Sequence, residues 1–206
     1  MQTIFERVSA WNAARYEQEF NLELAHSLLS EEYGREWLPH YEEAAQRAPS
    51  ALQDAKLLDD LADICFVAFG IVWKIGGTWQ DIAAAQERVL DRQIQALEMW
   101  PQIRPGFFIG SLIDSFKYDS ELGVIDSMTQ IINCCVAEAM YSLCVTPDQF
   151  HCALLAVCDS NDSKSIKRVA ANVKANAGDK GPFYVPPTAA LVQIMMEAKY
   201  GQEKSF

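Results

Sequence analysis

The sequence predicts an all-α fold, and three observations support this prediction. Apolar residues recur at helical spacing along most of the chain, and no alternating strand pattern exceeds a few residues. Glycine, proline and small polar residues divide this pattern into segments of helix length. The 206 residues are 50% hydrophobic, which is enough for one ordinary core. We therefore expect a single domain over residues 1–206 in which helices pack as a bundle.

The first half of the chain divides at prolines and glycines. Helical periodicity covers about 4–20 and continues from there until Pro39, and a short acidic helix follows over 41–47. The next helix, about 52–74, is closed by Gly76-Gly77, in the usual C-terminal role of glycine. Since it is apolar nearly all round, we expect it to lie inside the bundle.

The second half repeats this organisation. Helical patterns are predicted over 81–99, 123–143, 147–161 and 188–200. Proline residues break the chain between the first two of these helices. Thr146-Pro147 is a favourable helix start, because threonine caps and proline fits the first position. Residues 178–187 hold two glycines and three prolines, so we expect no regular structure there.

Composition and charge narrow the function classes. The formal net charge is -11 and the isoelectric point is near 4.7, which argues against a general nucleic-acid binder despite basic residues between 164 and 174. No apolar run reaches membrane-spanning length, and the first residues lack the layout of a signal peptide. The six cysteines show no C-x-x-C spacing, which favours buried reduced thiols. We expect a cytoplasmic protein that binds neither nucleic acid nor membrane.

Three aspartates lie near the start of the apolar helix over 52–74, namely Asp59, Asp60 and Asp63. Positions three and four apart share one helix face, so Asp63 lies beside both of the others. Carboxylates on a buried helix repel one another and lose solvation, and a hard divalent cation with oxygen ligands would neutralise them. The apolar surroundings favour this interpretation over a solvated acidic surface.

A second acidic pair, Glu32 and Glu36, lies on the preceding predicted helix. The two residues are four apart and therefore point to one side. Asp60 and Asp63, three apart, likewise point one way, so if the two helices pack antiparallel, these two pairs bring four carboxylates together around one or two cations. The alternative for this pair is an ordinary solvated surface, since Glu42 and Glu43 show that the region holds many acids.

A polar cluster, Asp-Ser-Asn-Asp-Ser-Lys-Ser-Ile-Lys-Arg over 159–168, follows where the helix over 147–161 ends. The lysine ammonium is a compact point charge that suits phosphate, and asparagine and serine add neutral hydrogen bonds. The alternative is a polar loop with a solvated charge run. The histidines at 26, 40 and 151 show no metal-ligand or catalytic spacing, and the sequence has no glycine-rich phosphate-binding motif.

Four motifs together resemble one family. In chain order they are Glu31-Glu-Tyr-Gly-Arg-Glu36, Leu58-Asp-Asp-Leu-Ala-Asp63, Asp159-Ser-Asn-Asp-Ser-Lys164 and Lys180-Gly-Pro-Phe-Tyr-Val-Pro-Pro187. Their kind and order resemble the MazG-like all-α nucleoside triphosphate pyrophosphohydrolases, in particular the phosphoribosyl-ATP pyrophosphohydrolase-like branch of phages and bacteria. The resemblance covers about residues 20–77 and 149–187. Residues 78–147 form a longer connection than is usual in the family, which we interpret as an inserted helical region.

The resemblance implies a MazG-like helical bundle that assembles as a homodimer or homotetramer. It implies hydrolysis of a nucleoside triphosphate, with a deoxynucleotide favoured, to the monophosphate and pyrophosphate. Mg²⁺, or Mn²⁺ in its place, would be held by Glu32, Glu36, Asp60 and Asp63. A further carboxylate, Glu31 or Asp59, would take a proton from the attacking water. The substrate would be contacted by Arg35, Asn161, Lys164, Lys180 and Tyr184.

One residue departs from the family pattern. The pattern places its second glutamate three residues after the first, but Arg35 stands at that spacing from Glu32, and Glu36 comes one position later. Three interpretations follow: Glu36 replaces the ligand, the site binds fewer metals, or catalysis is lost and nucleotide binding remains. Two other classes therefore stay open beside the enzyme, a non-catalytic nucleotide-binding protein and a helical structural or partner-binding protein.

Overall fold

The structure is a computed structural model that describes residues 1–99, 103–165 and 180–200, and every regular element within these ranges is a helix. The elements are α1 (Gln2–Ala13), α2 (Leu22–Glu31), a π-helical segment (Glu32–Trp37), α3 (Leu38–Gln46), α4 (Ala51–Lys74), α5 (Trp79–Met99), α6 (Pro105–Phe116), α7 (Glu121–Leu143), α8 (Pro147–Asp162) and α9 (Thr188–Tyr200). The predicted all-α class is thus confirmed for these residues, whereas the MazG-like arrangement stays a prediction.

Helix α4 lies at the centre of the molecule, as its apolar sequence predicts. Ser50 caps its start by accepting a hydrogen bond from the N–H of Gln53, and Lys74 in its last turn complements the helix dipole. The helix packs against α1, α2, α3, α7, α8 and α9. Its buried side chains, among them Leu58, Leu61 and Ile64, belong to the one hydrophobic core that these helices share.

The segment predicted as an insertion, residues 78–147, contributes to this same core. Helix α7 packs against α4 and α8, and α5 and α6 pack against α7. Met128, Ile131 and Cys135 on α7 are fully buried in the shared core. The segment is therefore an integral layer of the bundle rather than a region attached to its surface.

Several predictions of where helices begin and end were wrong. The helix expected over 4–20 ends at Ala13, because the N–H groups of Arg15 and Tyr16 both bond to the carbonyl of Asn12, and Asn21 then caps α2. Helix α6 was not predicted, since its Pro105-Gly106 start was interpreted as a break. Proline at the first helical position keeps a favourable dihedral angle and loses no helical hydrogen bond, so it begins α6. The predicted threonine cap of α8 and the bounds of α9 are confirmed.

The chain passes from α2 into α3 without a break, although a stop near Pro39 was predicted. Between them the π-helical segment shifts the hydrogen bonds by one residue, so that the N–H of Leu38 donates to the carbonyl of Tyr33. Pro39 follows directly and occupies the first turn of α3. A proline has no N–H to lose at such a transition, so the helix continues instead of stopping.

Taken one at a time, none of the helices in the described ranges has both the length and the apolar composition of a membrane span; only the pair Leu122–Leu143 and Pro147–Asp162, bent by 113°, reaches them together.

Candidate functional site

One cavity of about 450 Å³ lies between α1, α2, α4 and the end of α8. Acidic side chains line one part of its wall, from the π-helical segment and α4. Cationic and amide side chains line another part, from the end of α8 and the segment after residue 179. Aromatic and aliphatic side chains of α1, α2 and α4 line the remainder. All four sequence motifs, the polar end of α8 among them, therefore converge on one space.

The acidic wall consists of Glu32, Glu36, Asp59 and Asp63, all half-buried. Burial and the charge of Glu36 raise the pKa of Asp59 to about 6, although Lys164 and Lys180 oppose the rise. Burial and the charges of Asp59 and Glu32 also raise the pKa of Asp63, well above the ordinary value of an aspartate. Glu36 thus acts on Asp59 and Glu32 on Asp63, the order expected for two antiparallel helices. The crowded carboxylates make this wall a strong attractor of cations.

Asp60 does not line the cavity, although the sequence placed it in the metal-binding set. Its carboxylate is 5% exposed and lies 2.6 Å from Nδ1 of His40 on α3. Burial raises the pKa of Asp60 to about 6, and the His40 ring opposes the rise. The pair that faces the cavity is Asp59 with Asp63, four apart, and Asp60 is turned towards α3. Asp59, which was predicted to be a proton acceptor, therefore takes the place in the acidic wall that was predicted for the metal ligand Asp60.

The π-helical segment decides which side chains of the first motif face the cavity. Glu32 and Glu36 both line it, whereas Arg35 is exposed and lies outside its lining. Glu31 is half-buried and also lies outside the lining. The wider hydrogen-bond spacing absorbs one extra residue, so two glutamates four apart keep a common face. The expected contact of Arg35 with substrate is not supported by its position.

Helix α6 supports the π-helical segment from behind through two glycines. A methyl group built at Gly110 would lie 2.8 Å from the Tyr33 ring, and one at Gly106 would lie 2.6 Å from the Trp37 ring. The two rings stack on each other with centroids 5.3 Å apart. The N–H of Gly106 also donates to the buried carboxylate of Glu138, at 2.9 Å. The glycines therefore provide a close-fitting surface for the aromatic back of the acidic segment.

The opposite wall holds Asn161 and Lys164 at the end of α8. The Lys164 ammonium donates to Oδ1 of Asn161 at 2.6 Å, and Nδ2 of Asn161 donates to the carbonyl of Val157 at 3.1 Å. Asn161 is 5% exposed, and its amide is occupied on both sides by these bonds. Asn161 therefore orients Lys164, although a direct contact between Asn161 and the substrate was predicted.

Lys180 and Tyr184 complete this wall from the irregular segment after residue 179. The Lys180 ammonium lies 5.0 Å from the centre of the Tyr184 ring, within reach of a cation–π interaction. The predicted absence of regular structure is confirmed for residues 180–187. Residues 166–179, which include most of the predicted basic cluster, lie outside the described ranges.

The apolar part of the cavity was not anticipated. It is lined by aromatic residues of α1, the following turn and α4, namely Trp11, Tyr16, Phe20 and Phe66. Trp11 and Phe66 meet edge to face at 5.3 Å. These residues belong to none of the four motifs, and their pattern is that of ordinary core positions. In the sequence, a break between α1 and α2 would have indicated that a cavity could form beside them.

The chemistry of the acidic wall fits a hard divalent cation, because all four of its side chains offer carboxylate oxygens. Within the described ranges, no three acidic, histidine or cysteine side chains are gathered closely enough to enclose an ion as they stand. The donors thus have the right chemistry and surround the cavity, and they would have to draw together around a cation.

No family model matches this chain, and comparison with curated proteins and with solved structures gave no match either.

Proposed function

We propose that the protein is a metal-dependent nucleoside triphosphate pyrophosphohydrolase, which converts a nucleoside triphosphate, a deoxynucleotide in particular, to the monophosphate and pyrophosphate. The observation that carries this proposal is the convergence of four carboxylates, two lysines and an aromatic surface on one cavity. A nucleotide has parts that match these three surfaces. Its phosphates need cations, the metal ion bound to the phosphates needs anionic ligands, and its base needs an apolar surface. The volume of about 450 Å³ lies within the usual range of ligand pockets.

Each group of residues has a distinct role in this proposal. Glu32, Glu36 and at least one of Asp59 and Asp63 would hold Mg²⁺, or Mn²⁺ in its place; when bound, the metal offsets phosphate charge and lowers the pKa of a bound water. Lys164 and Lys180 attract the phosphates. The two lysines and the surrounding acids fix the chain of phosphates in one orientation, and such positioning is the larger part of catalysis in phosphoryl chemistry.

The raised pKa of Asp63 supports a second task on the same wall. A carboxylate whose pKa is raised is a stronger base than an ordinary one and accepts a proton from water more readily. Glu31 and Asp59 were the expected acceptors, and of these only Asp59 lines the cavity. Asp59 or Asp63 is therefore the better assigned base, with the remaining carboxylates as ligands.

A second function is favoured by one observation, the spacing of the carboxylates. Because no three of them converge on one point in the described ranges, the cavity also suits a protein that binds a nucleotide without cleaving it. The exposed position of Arg35 does not decide between the two, since it lies outside the cavity in either case.

A panel of ribo- and deoxynucleoside triphosphates with Mg²⁺ or Mn²⁺ tests the proposal. The expected products are the monophosphate and pyrophosphate in equal amounts, and Asp63→Asn and Lys164→Ala should each remove most of the activity. Stabilisation by nucleotide without pyrophosphate release would assign the binding function instead. Neither stabilisation nor product with any nucleotide would refute both. The exposed Asp114→Asn serves as the matched control for loss of an aspartate charge.

A further inference from the structure

The cationic wall of the cavity depends on how the end of α8 is held in place. Helix α8 ends at Asp162, and Lys164 follows two residues later. The same end also carries the segment after residue 179, because the N–H of Val185 donates to Oγ of Ser163 at 2.9 Å. The positions of both lysines in the cavity are therefore set from this one helix end.

Helix α1 and the turn that follows it hold this end from the other side. The indole N–H of Trp11 donates to the carbonyl of Asn161 at 2.9 Å, and Nη2 of Arg15 donates to the carbonyl of Lys164 at 3.1 Å. The Asn161 carbonyl lies in the last turn of α8, where carbonyls attract donors, and the Lys164 carbonyl lies just beyond the helix. The end of α8 is thus fixed by donors from a different part of the chain.

Arg15 is built rigidly into this position. The residue is 3% exposed, its guanidinium lies 4.2 Å from the centre of the Trp11 ring, and Nη1 donates to the Trp11 carbonyl at 3.3 Å. Burying a guanidinium is costly unless its donors are satisfied. The guanidinium is planar and its donors form a fixed fork, so its bonds to two carbonyls and its contact with the Trp11 ring together define one orientation.

Two constraints therefore act on Lys164. Arg15 holds its backbone carbonyl, and Asn161 holds its ammonium at 2.6 Å. Arg15 itself does not line the cavity. We propose that Arg15 is a positioning residue for the phosphate-binding wall: it fixes the backbone from which Lys164 projects and so raises the affinity for the triphosphate. This inference rests on the proposed function of the cavity.

The test measures binding and turnover separately. Arg15→Met is compared with the control Arg7→Met. The control removes exposed ion pairs that join α1 to Asp159 and Asp162 on α8, and it leaves the residues of the cationic wall unchanged. The probe for binding is a non-hydrolysable α,β-methylene deoxynucleoside triphosphate with Mg²⁺. We expect Arg15→Met to raise its Kd about tenfold, the usual effect of losing a charge-assisted hydrogen bond. Arg7→Met should change it less than about twofold.

Turnover kinetics and a double mutant show whether Arg15→Met acts through the position of Lys164 or through a smaller fraction of folded protein. A positioning defect raises KM with kcat nearly unchanged, whereas a smaller folded fraction lowers kcat with KM unchanged. In a Lys164→Ala background, Arg15→Met should have little further effect on Kd, because its action passes through Lys164. If Arg15→Met does not fold, Arg15→Lys, which keeps one donor and the charge, replaces it with an expected intermediate Kd.

The outcomes separate the two proposals. Normal binding by Arg15→Met or Arg15→Lys, or equal Kd effects with and without Lys164, overturns the positioning role and leaves the proposed function intact. Failure of the wild-type protein to bind any nucleotide analogue overturns the proposed function, and the positioning role with it. A Kd effect that Arg7→Met reproduces would also overturn the inference, because it would show a general effect of loosening α1 from α8.

Discussion

Asp59→Asn should stabilise the metal-free protein at neutral pH. In the wild type, burial and the nearby Glu36 charge raise the Asp59 pKa from 3.8 to about 6. The folded state therefore binds this proton more tightly than the unfolded chain does. Below about pH 4, Asp59 does not lower the free energy of unfolding of the wild type. This free energy falls as the pH rises from about 4 to about 6, and it stays at the lower value above that range.

The size of the effect follows from the same pKa. A carboxyl whose pKa rises from 3.8 to about 6 lowers the free energy of unfolding by about 3 kcal/mol at pH 7. Since Asp59 is half-buried and partly screened by water, we expect Asp59→Asn to recover about 1–3 kcal/mol. For a chain of this length that corresponds to about 2–4 °C in melting temperature for each kcal/mol.

Chemical denaturation in EDTA at pH 4.0 and pH 7.5 measures the effect. The gain in free energy of unfolding should be present at pH 7.5 and nearly absent at pH 4.0, and saturating Mg²⁺ should stabilise the wild type more than the variant. Asp114→Asn, which removes a carboxylate with an 81% exposed side chain, should change little at either pH. A gain of equal size at both pH values, or none at pH 7.5, would refute the electrostatic account of the acidic wall.

Four further substitutions test other parts of the site. Glu36→Gln should remove most of the activity and weaken Mg²⁺ stabilisation, whereas the exposed Arg35→Ala should leave both unchanged in turnover and thermal-shift assays. Gly110→Ala should destabilise the protein by about 1–3 kcal/mol in urea unfolding, because its methyl group would meet the Tyr33 ring at 2.8 Å. Lys164→Ala should raise the Kd for nucleotide at least tenfold with a small change in melting temperature.

Each of these expectations has a contrary outcome. Full activity in Glu36→Gln would remove it from the ligand set, and a large loss in Arg35→Ala would give the guanidinium a role that its position does not suggest. An unchanged stability of Gly110→Ala would mean that the Tyr33 ring moves aside at no cost. A large fall in melting temperature with unchanged binding in Lys164→Ala would make the lysine structural.

The sequence was sufficient for the parts of the molecule that local patterns determine. The apolar run of α4 with its closing glycines, and the Thr146-Pro147 start of α8, could be predicted because capping and burial depend on neighbouring residues. Helical spacing also predicted that Glu32 and Glu36 share one face, whereas their approach to the aspartates of α4 was predicted only on the condition of antiparallel packing, with Asp60 in the place of Asp59. What local spacing leaves undecided is which of two adjacent aspartates faces the cavity.

The remaining features depend on contacts between distant residues. Asp60 turns away from the cavity because His40, twenty residues earlier, lies beside it. Arg15 gains its significance from a carbonyl 149 residues away. The π-helical segment arises from a one-residue shift in backbone hydrogen bonds, and no residue type marks such a shift. Long-range partners of this kind are set by the packing of whole helices.

The π-helical segment lets this helix change length without changing its neighbours. Gly34 is exposed, and a methyl group there would meet no atom within 4 Å. Because the wide turn absorbs one residue, deletion of Gly34 would return the segment to ordinary α-helical bonding and leave the residues beyond it facing as before. Glu36 would then come three residues after Glu32, and Trp37 would keep its contact with Gly106 on α6. The spacing of the two glutamates is thus a local property of one helical turn, and it can differ by one residue without any change on α6.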